Sequence, residues 1–173
     1  MTVELETPRL RLRTFTPEDA GDYLDYMSDP ELLRNLGMFP VTDLAAAEQV
    51  IDWMLAERVP VALEERASGR VIGHIVLHPP ALELGDVPAL REKRGASLSF
   101  ALHRDRRGRG LMREALAALI DWLFSQGYDF INCGFFAFNT ASAALQRSLG
   151  FQFYAAGEHM GVRTVENILY RDR

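Results

Sequence analysis

The segment Arg106-Arg107-Gly108-Arg109-Gly110-Leu111-Met112-Arg113-Glu114-Ala115-Leu116 places two glycines and three arginines between a strand-like run and a strongly periodic helix. Glycines let a backbone curl so that several N–H groups point at one place, and the helix that follows adds the positive end of its dipole. The chemistry available to such a loop is anion binding, with a diphosphate the best match. A Rossmann fingerprint would need a third small residue where Arg113 stands. A P-loop would close on Gly-Lys-Ser/Thr where Leu111 and Met112 stand. Neither nucleotide motif is present. Taken alone, a glycine-rich turn ahead of a helix is also consistent with a simple turn.

The elements that must position this loop follow from periodicity. Ala96-Ser97-Leu98-Ser99-Phe100-Ala101-Leu102 alternates small or polar with large apolar residues, as a strand does, and runs straight into the loop. The helix beyond carries Met112, Leu116, Leu119, Ile120 and Leu123 on one face and ends near Gly127. Upstream, Leu10 to Phe15 alternates as a strand. Thr16-Pro17-Glu18-Asp19 opens a helix with Thr16 as N-cap and Ala20, Tyr23, Leu24 and Met27 as its buried face. Asp29-Pro30-Glu31 starts a second helix that Gly37 stops, and a third is expected from about Leu44 to Glu57, with Leu44, Ala47, Ile51, Met54 and Leu55 inward.

Val59 to Glu64 and Val71 to Leu77 read as a hairpin turning at Ser68-Gly69. The stretch His78 to Gly95, with Pro79, Pro80, Gly85 and Pro88, is a long loop, read equally as a lid over a substrate or a tolerated insertion. A strand from Phe130 to Phe138 precedes a helix capped by Asn139 that stops at Leu149-Gly150. Phe151 to Tyr154 and Thr164 to Tyr170 supply two final strands. The order is β-α-α-α-β-β-β-α-β-α-β-β, an α/β (α+β) arrangement, and with no repeat or linker residues 1–173 read as a single domain.

Composition narrows the function classes. With 173 residues and 48% hydrophobic content the chain can bury a core of its own. One cysteine, Cys133, excludes an internal disulfide framework and suits a reducing compartment. No apolar run approaches a membrane span, so a soluble cytoplasmic protein without a membrane partner is expected. A net charge of −5 argues against nucleic acid as the main partner. Arg104, Arg106, Arg107 and Arg109 then form a local basic patch on an acidic protein, which favours a small anionic ligand over a polyanion.

Together these residues resemble a known family. Arg107-Gly108-Arg109-Gly110-Leu111-Met112 with Glu114-Ala115-Leu116, then Asn139-x-x-Ser142 and Leu149-Gly150-Phe151, is similar to the GNAT superfamily of acyl-CoA-dependent N-acetyltransferases. The opening Glu6-Thr7-Pro8-Arg9-Leu10-x-Leu12-Arg13 resembles its branch of ribosomal-protein-alanine N-acetyltransferases. The resemblance spans essentially the whole chain. It implies a central mixed, mostly antiparallel sheet of six to seven strands, splayed between the strands 96–102 and 130–138 and flanked by helices. It also implies acetyl-CoA as co-substrate and no metal.

Carried over residue by residue, the resemblance places the coenzyme A diphosphate on backbone amides from Arg107 to Met112, that is Arg107, Gly108, Arg109, Gly110, Leu111 and Met112. Arg109 is available for phosphate charge. The edge of Phe100-Ala101-Leu102 would pair with the pantetheine arm as an added strand. Asn139 would contact the pantetheine, although its residue type and place are those of an N-cap as well. Ser142 would serve the sulfur, and Glu158 on a late strand would serve the amine, against its reading as a surface carboxylate. His159, His103 and His74 are alternative bases, and Tyr154 is an alternative proton donor or core residue.

Two positions depart from the commonest pattern. A glutamate on the strand before the glycine loop is replaced by Ser97, and a tyrosine four residues before Gly-Phe is replaced by Gln146. Two readings therefore stand side by side: an N-acetyltransferase acting on a primary amine, or a catalytically inactive acyl-CoA-binding sensor or scaffold. A small nucleotide-binding domain using the same loop is a third, opposed by the missing lysine. The amine is a protein N-terminus or a small molecule. Glu31, Asp43, Glu83, Asp86 and Glu92 would suit a cationic acceptor, and Phe39, Met38 and Trp53 read as its apolar pocket or as core. Edge strands at the C-terminus could pair between chains as a homodimer.

Overall fold

The first strand after the N-terminus ends where the chain reverses at Thr7-Pro8-Arg9, a turn closed by the Thr7 amide donating to the Leu10 carbonyl at 2.9 Å. In the computed structural model, which describes residues 1–80 and 87–171, it appears as β1 (Leu5–Glu6), antiparallel to β2 (Leu10–Thr14). There follow α1 (Ala20–Met27), α2 (Pro30–Leu36), α3 (Leu44–Glu57), β3 (Val59–Glu65) and β4 (Val71–His78). Next come β5 (Gly95–Leu102), α4 (Leu111–Ser125), β6 (Phe130–Phe136), α5 (Thr140–Ser148), β7 (Gln152–His159) and β8 (Val162–Tyr170). The strand order is β1-β2-β3-β4-β5-β6-β8-β7, eight strands. The expected six to seven lacked β1, whose two residues are too few to carry an alternation.

Contacts group the chain into two compact units, Met1–Leu77 with Phe100–Ala118, and His78–Ser99 with Leu119–Arg173. In the first, α1 and α3 cover the antiparallel strands β2, β3 and β4, and the core gathers Phe15, Tyr23, Tyr26, Met27, Ile51 and Met54. Thr16 and Pro17 open the first helix as their types require, through a short 3-10 turn, Pro17–Asp19. The buried face of α1 includes Tyr26, with Leu24 only half-buried. On α3, Ala47, Ile51 and Met54 face inward, but Leu44 and Leu55 are exposed. Those two sit roughly 60–80° round the helix from Ala47, at the rim of a stripe narrower than expected.

In the second unit, β5 and β6 pair in parallel through Gly95↔Phe130, Ala96↔Ile131 and Ser97↔Asn132. β6 pairs antiparallel with β8 along its whole length, and β8 with β7. β6 ends at Phe136, two residues short of expectation, because the chain turns there toward Asn139, the N-cap of α5. Within the long stretch before β5, Pro88–Leu90 forms a 3-10 turn whose Leu90 packs on Phe130 and Ile168. The lid or insertion expected over 78–95 lies in part outside the described residues, as do Glu83 and Asp86.

The first helix is pinned to the sheet by Arg13 on β2. Its guanidinium donates to both Asp19 carboxylate oxygens, at 2.7 and 2.8 Å, and to Glu64 on β3 at 2.7 Å. Burial pushes the Asp19 carboxyl up, but Arg13 and the Thr16 amide outweigh it and hold it below the usual aspartate value. A depressed carboxyl stabilises the fold above its ordinary value, about 3.9, and the benefit is lost as pH falls through the folded-state value. Asp19→Asn should therefore lower stability at neutral pH, and the gap to the unsubstituted protein should close on acidification. Urea unfolding of both proteins near neutrality and near pH 3 checks this.

Candidate active site

The glycine loop belongs to the first unit. After β5, His103 caps a 3-10 turn, Arg104–Arg106, its Nδ1 accepting from the Asp105 amide at 3.1 Å. Gly108 and Gly110 then adopt φ of 74° and 75°, the left-handed region that favours glycine, and α4 begins at Leu111. Arg107 N–H donates to Arg104 at 3.2 Å, so the run of free amides starts one residue later than expected. Among the described residues, no hydrogen bond is made by the N–H groups of Gly108, Arg109, Gly110, Leu111, Met112 or Arg113. Six consecutive donors at a helix start are an arrangement that can hold an anion. A Cβ added at Gly108 would enter open space on the loop's surface, the room a ligand needs.

The arginines divide by role. Arg107 turns its guanidinium away from the loop, to Asp29 at 2.7 Å, Glu31 at 3.3 Å and the Leu102 carbonyl at 3.1 Å. Arg106 pairs with Glu65 at 2.9 Å. Both are braces, and Glu31 is thereby engaged with Arg107. Arg109 makes no ion pair among the described residues and is exposed, which leaves its charge to a ligand.

The opening motif holds the loop from the other side. Glu114, in the first turn of α4, accepts from the Thr7 hydroxyl at 2.6 Å, the Arg9 amide at 2.9 Å and the Arg9 guanidinium at 2.7 Å. The same guanidinium donates to the Arg109 carbonyl at 2.8 Å. Burial raises the Glu114 carboxyl, and these donors outweigh it and hold it below the usual glutamate value. In the sequence Thr7 and Arg9 carry only a family resemblance, because nothing local announces a partner more than a hundred residues away.

The second unit carries Asn139, Ser142 and Glu158. Asn139 caps α5, its Oδ1 accepting from the Ser142 amide at 3.1 Å. Ser142 is buried, and its Oγ accepts from Gln146 Nε2 at 3.1 Å. Gln146 Oε1 in turn accepts from Asn167 Nδ2 of β8 at 2.9 Å. The glutamine at the tyrosine position thus holds a hydroxyl in place. With the amides so oriented, the Ser142 proton donates to no described residue and is free for another acceptor.

Glu158 is exposed near the β7–β8 tip, opposite Arg163, and no contact joins it to Ser142 among the described residues. His159 beside it is exposed and lies near the Phe136 ring. His74 is buried in the first unit, its Nδ1 2.8 Å from the Tyr26 hydroxyl and its ring stacked on Tyr23. His103 lies 3.5 Å from Asp25. Tyr154 packs beside Leu90, Phe130 and Ile168, and burial followed by nearby Tyr170 pushes its hydroxyl up. Phe39, Met38 and Trp53 are exposed, which removes the core reading of all three. Phe100 is half-buried, and Ala101 and Leu102 are buried.

Among the described residues no three His, Cys, Asp or Glu side chains gather as a metal-ion set, and no helix is long and apolar enough to cross a membrane.

Comparison with known proteins follows the same lines. The family model of the acetyltransferase (GNAT) domain matches residues 9–152. The uncharacterized N-acetyltransferase p20 of Bacillus licheniformis is 31% identical over 156 residues, covering 86% of this chain and 82% of that protein. Among solved structures, a GNAT-family acetyltransferase from Bacillus anthracis superposes with a TM-score of 0.80 at 16% identity, covering 100% of both chains. A ribosomal-protein-S5-alanine acetyltransferase from Vibrio fischeri superposes with a TM-score of 0.76 at 16% identity, covering 98% of this chain and 97% of that one. These two share the fold. The loop and cap motifs, the strand order and the match over residues 9–152 agree, and the chain belongs to the GNAT acetyltransferase family.

Proposed function

We propose that the protein transfers an acetyl group from acetyl-CoA to a primary amine by direct attack, with no covalent enzyme intermediate. The observation that carries this reading is the set of six unpaired amides at the head of α4 in a chain of this family. They suit the diphosphate of coenzyme A, with Arg109 supplying side-chain charge and Arg107, Arg9 and Glu114 keeping the loop in shape. A neutral amine attacks the thioester carbonyl, the C–N bond forms and the C–S bond breaks. Ser142, fixed by Gln146 and Asn167, gives its proton to the departing thiolate and regains one from solvent. The acceptor is read as a protein N-terminus or a small-molecule amine.

The second reading, a sensor that holds acyl-CoA without turnover, is favoured by Ser97 and Gln146, where the commonest pattern has glutamate and tyrosine. Release of coenzyme A with any amine of a panel decides for the enzyme.

Calorimetric titration with acetyl-CoA should show binding, and its absence up to millimolar concentrations would overturn the proposal. Gly110→Val forces a branched side chain into a φ of 75° beside the free amides and should weaken that binding by about tenfold or more. Melting curves separate loss of binding from loss of fold. Glu114→Gln releases the Arg9 brace, and a rise in the dissociation constant of about threefold to tenfold is expected, on the scale of one charge-assisted hydrogen bond. Ser142→Ala should leave acetyl-CoA affinity nearly unchanged and depress turnover by about a hundredfold, measured by thiol release.

A further inference from the structure

A polar cluster in the second unit has no part in the roles assigned so far. Asn132 is fully buried in the middle of β6, where an apolar residue would be the ordinary choice. Its Nδ2 donates to Ser97 Oγ of β5 and to Glu166 Oε2 of β8, each at 3.2 Å. Both acceptors share one nitrogen, so they lie no more than twice 3.2 Å, or 6.4 Å, apart. The Asn132 Oδ1 is buried without a hydrogen-bond partner among the described residues, an expensive state for an amide unless something donates to it. The seat of the carboxylate is also made for it. Gly134 lies opposite Glu166 in the β6–β8 ladder, and a Cβ there would collide with Glu166 Oε1.

Position along the strands gives the cluster its meaning. Ser97↔Asn132 is the last pair of the β5–β6 ladder, so the cluster stands where that pairing stops. Glu166 is half-buried, open enough to meet a ligand. Glu166 and Asn167 are neighbours on β8, and successive strand side chains point to opposite faces. The Ser142–Gln146–Asn167 chain therefore reaches one face of the sheet, and Asn132 with Glu166 the other. A carboxylate and an unsatisfied amide oxygen are acceptors only, which matches a group rich in N–H or a water that carries its proton.

We propose that Glu166 is the base of the transfer, held by Asn132, and that it takes the place of the glutamate absent at Ser97. The inference rests on the acetyltransferase reading above. The Glu166 carboxylate, directly or through a water on Asn132 Oδ1, takes a proton from the bound ammonium. The neutral amine then attacks, the C–N bond forms, the C–S bond breaks, and the newly cationic nitrogen loses its remaining extra proton to solvent. The thiolate takes its proton from Ser142 on the opposite face. Solvent then removes one proton from Glu166 and returns one to Ser142, so charge and atoms balance. Asn132 is a positioning residue, acting through the carboxylate that it holds. Cys133 on β6 lies near enough to feel that carboxylate: burial first, and then the Glu166 charge, push its thiol up.

The test compares the unsubstituted protein with Glu166→Gln and Gly134→Ala, using acetyl-CoA and a panel of an alanine-initiated peptide, a polyamine and an aminoglycoside. Glu166→Gln should lower kcat by about a hundredfold near neutral pH, with KM for acetyl-CoA unchanged. The loss should shrink as pH rises toward about 10, where an alkyl amine is neutral without help. Gly134→Ala, which displaces the carboxylate, should give the same pH-dependent loss, and Glu166→Asp a partial one that keeps the original profile. Glu166→Asp also serves if Glu166→Gln does not fold. Wild-type turnover in Glu166→Gln, or a loss equal at every pH, would overturn the role of Glu166 while leaving the acetyltransferase reading intact. Absence of thiol release from the unsubstituted protein with every amine would overturn both.

Discussion

β5 and β6 pair in parallel for three residues, and the pairing stops at Ser97↔Asn132 although β5 continues to Leu102 and β6 to Phe136. A ladder that ends inside a sheet leaves main-chain and side-chain polar groups without their usual partners, and those groups need others. The chemistry of the second unit gathers around that stop. Asn132 sits at it, fully buried, with one nitrogen shared between two strands. β6 keeps its full antiparallel pairing with β8, which fixes the opposite faces reached by Glu166 and Asn167. A slip of one residue in that register would exchange them, because side chains alternate at a period of two.

In the first unit the corresponding constraint is conformational. Two glycines in the left-handed region let the chain enter α4 with six amides unpaired. Such a loop has no ladder to hold it, so long-range side-chain bonds do so instead. Thr7 and Arg9 grip Glu114 and the Arg109 carbonyl on one side, and Asp29 with Glu31 holds Arg107 on the other. The arginines read as a phosphate patch are thus partly structural, with Arg109 left for a ligand. Holding the loop before a ligand arrives lowers the ordering cost of binding.

Much of the fold was legible because its signals are local. Thr16 with Pro17, Asp29 with Pro30, and Asn139 start helices where their types require, and Gly37 stops one. The stripe Met112, Leu116, Leu119, Ile120 and Leu123 is buried throughout. The misses are those where tertiary packing sets the outcome. Leu44 and Leu55 look inward by period but lie at the rim of a narrow contact, and β1 is too short for any pattern. Phe39, 88% exposed, shows that an apolar type alone does not make a core residue.

The sequence by itself determined the element order from β2 onward, the glycine loop, the cap at Asn139 and the family, since each depends on residue types a few positions apart. It also showed that Ser97 and Gln146 depart from the common pattern. Only the tertiary structure decided what stands in for them: Gln146 holding Ser142 to Asn167, and Asn132 drawing Glu166 toward Ser97. Those partners come from strands and a helix far apart in the chain. Strand register and the space over Gly134 that the Glu166 carboxylate fills bring them together, and neither can be read from residue types a few positions apart.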